Sequence, residues 1–268
     1  MPDSRSLSSN VPPADPDMLA NAVDILRAAG TFTLQWFGNP SLDVLTKSDG
    51  TPVTEADRGA ERLIRERLSA LHPEDSVLGE ELDDYIGSSS RTWIVDPIDG
   101  TKAFTRGVPL YSNLLAVVDD YGPLIGVINL PALSTTVYAG RGLGCFRDGR
   151  PVRVSDRSTP SACVLSTSGF GTWEESSLLG VKRAGFELRT WGDGYGYAMV
   201  ACGALDAMVD PQVSLWDIAP MPVIFAEAGG RFTGTDGNDV SLVPGSNVSG
   251  VATNGVVHDA VIAALAAI

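Results

Sequence analysis

Apolar positions recur at helical spacing from Met18 to Phe37, where Leu19, Ala22, Val23, Leu26, Ala29 and Leu34 form a stripe that ends near Gly38-Asn39-Pro40. That pattern predicts a first helix. A second is predicted from Thr54 to about Leu71, with Ala56, Ala60, Leu63, Ile64, Leu68 and Leu71 along one side and Thr54 as its N-cap. The runs then shorten. Ser76-VLG, Trp93-IVD, Leu114-LAVV, Leu124-IGVI and Thr136-VYA are apolar stretches punctuated by Gly, Asp and Pro, which predicts a sheet with meander connections. Beyond them the chain alternates. A Cys163-VLSTS strand, a helix over 174–184, a Phe186-ELRT strand, a helix over 196–202 and an Asp206-AMVD strand are followed by a helix over 217–227 closed by Gly229-Gly230. An Arg231-FTG strand and a last helix from His258 complete the order, which predicts a layered α/β architecture.

Composition narrows the function classes. A chain of 268 residues that is 44% hydrophobic buries a sizeable core. The polar, Pro-rich residues 1–17 read as a disordered lead-in without the apolar stretch of a signal peptide. The remainder reads as two packed halves, an α+β half over 18–150 and an α/β half over 151–268, with a seam near Gly149 to Ser161. Nineteen Lys and Arg against 33 Asp and Glu leave a net charge of −14, which argues against nucleic acid or anionic lipid as a partner. The apolar runs fall well short of the roughly 20 residues a membrane span needs, so a soluble, cytoplasmic protein is expected. Cys145, Cys163 and Cys202 are widely spaced, and only His72 and His258 are present, so neither a thiolate zinc site nor a Ser-His-Asp triad is suggested. Carboxylates must carry the chemistry.

The stretch WIVDPIDGT, Trp93 to Thr101, places two of them where an apolar run breaks. Asp96 would stand at the carboxyl end of a strand, and Asp99-Gly100-Thr101 would open a helix over 102–106 whose first N–H groups form an anion site. Two carboxylates so close repel unless a cation lies between them, and an oxygen-only ligand set favours Mg²⁺ or Mn²⁺. A plain turn former and a helix cap is the other reading of the pair. Leu78-GEEL adds Glu80 and Glu81, and Leu215-WDIA adds Asp217, so acids from three segments are available to a multi-metal phosphoryl-transfer site. Asp57, three residues after Thr54, reads on spacing alone as a capping residue.

Lys47-SDGTPVTEAD, Gly79-Glu80-Glu81, WIVDPIDGT and WDIA…EAGG, in that order, resemble the inositol monophosphatase-like, lithium-sensitive, Mg²⁺-dependent phosphatases over roughly residues 18–268. The rival DxDGT motif of haloacid dehalogenase phosphatases fails, because Pro97 occupies its first aspartate position. The resemblance implies an αβαβα layered sandwich, commonly homodimeric. It implies that Glu80, Asp96 and the Ile98 carbonyl bind one metal and that Asp96, Asp99 and Asp217 bind a second, with Glu80 helping to hold a third. It further implies that Thr101, paired with Asp57, directs a metal-activated water at phosphorus in line, and that Gly100 and Thr101 receive the phosphate. Two to three Mg²⁺ per site are expected, with Mn²⁺ as a substitute.

Within the family, Thr190-WGDGYGY, Asp206-AMVDP, Phe104-TRGVPLY and Gly126-VINLPAL are most similar to the histidinol-phosphate phosphatases, although Ser112-Asn113 departs from the Gly-Thr of that branch. The implied activity is hydrolysis of L-histidinol phosphate to L-histidinol and phosphate, in histidine biosynthesis. An ammonium and an imidazole call for carboxylates in the pocket, and Asp193 and Asp210 are the candidates; Asp193 could instead simply shape its Gly-Asp-Gly turn. Pro220 and Pro222 depart from the family pattern; Pro220 is tolerable in a first turn, whereas Pro222 is expected to kink or delay the helix after Asp217. The alternatives are an inositol-1-phosphate or broad sugar phosphatase and, in another class, a binding protein with a dead metal site.

Overall fold

The computed structural model describes residues 11–39, 43–46, 52–246 and 248–266. Helix α1 (Pro16–Leu34) starts where Asp15 accepts from the Asp17 N–H and Pro16 supplies a preset φ. Its stripe buries Leu19, Ala22, Val23, Leu26 and Ala29. The residues just before it correct the expected lead-in. Ala14 is buried and donates its N–H to the Arg141 carbonyl at 2.8 Å, while Arg141 Nε donates to the Pro12 carbonyl at 2.9 Å. Residues 12–17 are therefore fixed to the body; residues 1–10 lie outside the described residues.

Strands β1 (Val44–Thr46) and β2 (Pro52–Thr54) form an antiparallel pair that leads into α2 (Glu55–Leu71). Residues 47–51 of the family motif lie outside the described residues. A seven-stranded sheet follows: β3 (Ser76–Gly79), β4 (Thr92–Asp99), β5 (Ser112–Asp119), β6 (Gly122–Leu130), β7 (Thr135–Gly140), β8 (Gly144–Arg147) and β9 (Arg150–Pro151). Its spatial order is its chain order; β3 and β4 are parallel and the rest form an antiparallel meander. The short helix α3 (Thr101–Phe104) joins β4 to β5, stopping two residues before the expected end at Arg106.

The second sheet is assembled from β10 (Val164–Ser166), β11 (Glu187–Arg189), β12 (Ala207–Val213), β13 (Arg231–Thr233) and β14 (Val248–Thr253), in the order β11-β10-β12-β14-β13. Helices α4 (Glu175–Arg183), α5 (Asp193–Ala201), α6 (Leu215–Ile218), α7 (Met221–Ala228) and α8 (His258–Leu265) are interleaved with it. The expected helix over 217–227 is two helices. Pro220 has no N–H to continue the first, and it lies with Pro222 in the opening turn of the second, where an N–H is not needed.

The layers explain the uninterrupted apolar strands. Helices α1 and α2 cover one face of the first sheet, where Leu26 and Ile64 meet Trp93, Val95 and Leu115. Helices α5 and α7 lie between the sheets, where Tyr197, Ile224 and Phe225 join Leu114 and Ile128 of the first sheet to Met208 and Ala252 of the second. Helices α4 and α8 cover the outer face, with Val181 and Val261 against Leu165, Val209 and Val251. The result is an αβαβα sandwich whose strands are covered on both faces, so they read as continuous rather than alternating apolar runs. Among the described residues no helix is long and apolar enough to cross a membrane.

Candidate metal centre

The site is built on an irregularity in β4. Asp96 pairs with Leu114 and Asp99 with Ser112, so three residue steps on β4 face two on β5. Side chains three apart on a regular strand point to opposite faces; the extra residue of this bulge brings both aspartates toward one side. Pro97 sits in the bulge, where a missing N–H costs no ladder bond. Asp96 therefore lies inside β4, not at its end as the sequence predicts. Asp96 Oδ1 accepts from the Ile98 N–H at 3.0 Å, and Asp99 Oδ2 accepts from Ser112 Oγ and the Gly194 N–H, both at 2.5 Å.

Asp217 enters from the first turn of α6, where its Oδ2 accepts from the Ser214 N–H at 2.7 Å in a capping box. One carboxylate oxygen each from Asp96, Asp99 and Asp217 lie within 4.8 Å of one another. Glu80 follows β3 and lies near enough to Asp96 to repel its carboxylate. Its loop is held by the fully buried Glu61 of α2, whose Oε2 accepts from the Glu81 N–H at 2.8 Å while Arg65 pairs with Oε1. Glu61 is absent from the sequence-based site because its role depends on a contact twenty residues away.

Electrostatics fit these residues to a cation. Burial, then repulsion from Glu80, Asp99 and Asp217, holds the Asp96 carboxyl well above its ordinary range. Burial and repulsion from Asp193 and Asp217 do the same to Asp99. Burial raises Asp217 from 3.8 to about 7, with Glu80 adding to the rise. The first turns of α2, α5 and α6 each carry an acid, Asp57, Asp193 and Asp217, and their N–H dipoles offset part of the repulsion. That is not enough to restore ordinary acidity, whereas a divalent cation among oxygen ligands would be. The donor set is hard and oxygen-only, which suits Mg²⁺.

A cleft of about 580 Å³ opens over this cluster, lined by Glu80, Asp96, Ile98, Asp99, Gly100, Thr101, Lys102, Asp193, Asp210 and Asp217 among others. Among the described residues Lys102 is the one cationic side chain lining it. Gly100 is left-handed at φ 78°, and a side-chain carbon there would lie 2.8 Å from Asp193 Oδ2. The pairing of Thr101 with Asp57 is not made in this structure. Thr101 Oγ1 donates to the Ile98 carbonyl at 3.0 Å, and Asp57 Oδ2 accepts from the Thr54 N–H and Oγ1 at 2.8 and 2.6 Å. Asp57 is thus the capping residue that spacing predicts. Burial raises its carboxyl to about 6, with repulsion from Glu80 adding to the rise.

The two candidate substrate carboxylates differ. Asp210 is 4% exposed and accepts from Ser168 N–H and Oγ, Thr167 Oγ1 and Tyr197 OH, so its oxygens are already engaged within the protein. It ties the 167–168 segment to the cleft wall and itself lines the cleft. Asp193 starts α5 in the left-handed region at φ 54°, with its N–H donating to Ser168 Oγ at 2.8 Å. Burial, then Asp210, raises its carboxyl to about 6, and Lys102 opposes the rise. Gly194, within the WGDGYGY stretch, has a steric reason: a side-chain carbon there would collide with Ser112 Oγ and lie 2.9 Å from Asp99 Oδ2. Ser168 carries no motif, and the hydrogen bonds by which Ser112 and Tyr197 hold Asp99 and Asp210 are not legible in the sequence.

The fold and this carboxylate cluster define a candidate phosphoryl-transfer centre. The profile of the inositol monophosphatase family matches residues 15–268, and the chain belongs to that family. It is 41% identical over 258 residues to a histidinol-phosphatase of Mycobacterium tuberculosis, covering 93% of this chain and 98% of that one. A histidinol-phosphatase of Chlorobaculum parvum is 43% identical over 213 residues, covering 78% and 82% of the two chains. The solved IMPase of Thermotoga maritima superposes with a TM-score of 0.84 at 31% identity, covering 93% of this chain and 96% of that one.

Proposed function

We propose that this protein is a Mg²⁺-dependent phosphomonoesterase that hydrolyses L-histidinol phosphate to L-histidinol and phosphate. The observation that carries the reaction class is the convergence of Asp96, Asp99 and Asp217 within 4.8 Å at the floor of the cleft. The substrate rests on the named activity of the relatives and on the acidity of the cleft wall. Glu80, Asp96, Asp99, Asp217 and the Ile98 carbonyl would hold two to three Mg²⁺, with Mn²⁺ as a substitute. When bound, the cations supply charge neutralisation for the phosphoryl group and acidify water for attack on it.

The chain's own residues do the rest. Gly100 and Thr101, at the turn into α3, offer N–H groups to phosphate oxygens, and Lys102 adds a positive charge at the rim. Thr101 Oγ1 orients the attacking water, and Asp57, raised to about 6, is tuned to take a proton close to neutral pH. For the two to act together, Thr101 must turn from the Ile98 carbonyl, which also releases that oxygen as a ligand.

Asp193 faces the cationic end of the substrate. Attraction between its carboxylate and an ammonium or imidazolium selects histidinol phosphate over a neutral polyol phosphate. Asp193→Asn is expected to raise KM for histidinol phosphate by roughly tenfold, since charge-assisted bonds are worth about 1.5–3 kcal/mol, and to leave inositol-1-phosphate hydrolysis less affected. Steady-state kinetics with both esters checks this; equal losses would make Asp193 a structural residue of the α5 turn.

A further inference from the structure

Ser112 and Asn113 stand next to each other on β5, and both reach the β4 bulge. Ser112 fixes the Asp99 carboxylate; Asn113, fully buried, donates Nδ2–H to the Pro97 carbonyl at 2.6 Å. A carbonyl only accepts, so the amide of Asn113 has one orientation. Its Oδ1 faces away from the bulge and accepts from Asn129 Nδ2 at 2.9 Å. Asn129 Oδ1 accepts from Thr136 Oγ1 at 3.0 Å, and that hydroxyl, its one proton given, accepts from Arg27 Nε at 3.1 Å. Every donor in the chain points inward. It begins on a guanidinium whose side chain is 46% exposed beside Asp148, and it ends on the peptide between two candidate metal ligands.

Its surroundings make this chain costly unless it has a use. Asn113, Asn129 and Thr136 are buried in a sheet whose neighbours Leu114, Leu115, Ile128 and Val137 are apolar, and each buried polar group loses hydration that a hydrogen bond only about offsets. Helix α1 leaves room for the amides with Gly30, where a side-chain carbon would collide with Asn129 Nδ2 and lie 3.0 Å from Asn113 Oδ1. The chain also ends at the carbonyl whose place in the β4–β5 ladder the bulge disrupts. Pro97 C=O is tied to Asn113 on one side, while the next carbonyl, Ile98, accepts from Thr101 Oγ1 at 3.0 Å, and Ile98 lines the cleft with Asp96 and Asp99.

We infer that the Arg27–Thr136–Asn129–Asn113 hydrogen-bond chain positions the Pro97–Ile98 peptide, and through it sets the divalent-cation affinity of the Asp96–Asp99 bulge. Asn113 is a positioning residue. The inference rests on the metal-binding reading of the site, and its test separates the two. Mn²⁺ is titrated calorimetrically into the full-length protein after chelation, for wild type, Asn113→Leu, Thr136→Val and Thr136→Ser, with thermal unfolding of each in the absence of metal.

Asn113→Leu keeps the branched side-chain skeleton and removes the amide; its Mn²⁺ dissociation constant is expected to rise by about tenfold or more, the usual cost of losing a group that supports a metal ligand. At saturating metal its KM for the phosphate ester stays at the wild-type value. Thr136→Val, which touches no ligand, shifts metal affinity in the same direction by less, and Thr136→Ser, which keeps the hydroxyl, restores it. Wild-type metal affinity in Asn113→Leu and Thr136→Val, with only the unfolding temperature lowered, would overturn the inference and leave the network as sheet packing. If Asn113→Leu does not fold, the Thr136 pair decides: equal affinities for Val and Ser overturn it. Absence of Mn²⁺ binding by the wild type would overturn the metal reading and this inference together.

Discussion

Asp99→Asn is expected to lower Mg²⁺-dependent phosphate release by at least about a hundredfold in kcat/KM, the loss of roughly 3 kcal/mol of transition-state stabilisation. The geometry leaves the amide little choice. Asp99 Oδ2 accepts from Ser112 Oγ and the Gly194 N–H, both donors, so Asn must keep its one oxygen there. Its NH₂ group then faces Asp96 and Asp217 in place of an anionic oxygen and cannot ligate a cation. Side-chain volume and the two supporting hydrogen bonds are kept, so unfolding should remain cooperative while activity falls. A wild-type rate in a folded Asp99→Asn protein would remove Asp99 from the metal centre.

The same cluster should make stability depend on pH and metal together. Asp57 and Asp193 are raised from 3.8 to about 6 and Asp217 to about 7. The folded state therefore binds these protons more tightly than the unfolded state, and the metal-free protein loses stability as pH rises from about 4 through about 7. His258 works the other way. Buried between Thr233 and Thr253 and lowered from 6.5 to about 4, it removes stability as pH falls through that window. Since it lies outside the cleft, the difference between thermal unfolding with and without Mg²⁺ isolates the cluster. At pH 8, Mg²⁺ at a hundred times its dissociation constant should add about 2.7 kcal/mol, on the order of 5–10 °C in Tm. At pH 5 protons compete for the same oxygens and the shift should be much smaller. A Mg²⁺ shift that is equal at both pH values would contradict the account.

Much of the frame is legible in the sequence because local pattern and tertiary demand agree. The stripes of α1 and α2, the apolar runs of β3 to β7 and the DPIDGT spacing all state locally what the fold then uses. What escapes depends on distant partners. Strand β14, with Ser and Gly within it, becomes a strand because β12 and β13 flank it on both sides. The bulge that turns Asp96 and Asp99 to one side is set by register with β5, which no spacing rule reports. Ser112, Asn113 and Ser168 act through hydrogen bonds to residues 13 to 42 positions away, so their letters alone do not report what they hold. The sequence does flag Ser112-Asn113 as a departure, and the pair acquires its reason from contact with the β4 bulge. For Asp210 the structure adds what its letter does not show: it lines the cleft and accepts hydrogen bonds from Ser168, Thr167 and Tyr197 that brace the cleft wall.

Phosphate release from L-histidinol phosphate and from inositol-1-phosphate, measured side by side with Mg²⁺ and with a chelator, tests the central claim most directly. The account predicts hydrolysis that vanishes on chelation, returns with Mg²⁺ and strongly favours histidinol phosphate. Hydrolysis indifferent to Mg²⁺ would contradict the metal centre built on Asp96, Asp99 and Asp217, and a preference for inositol-1-phosphate would contradict the substrate assigned to the acidic wall at Asp193.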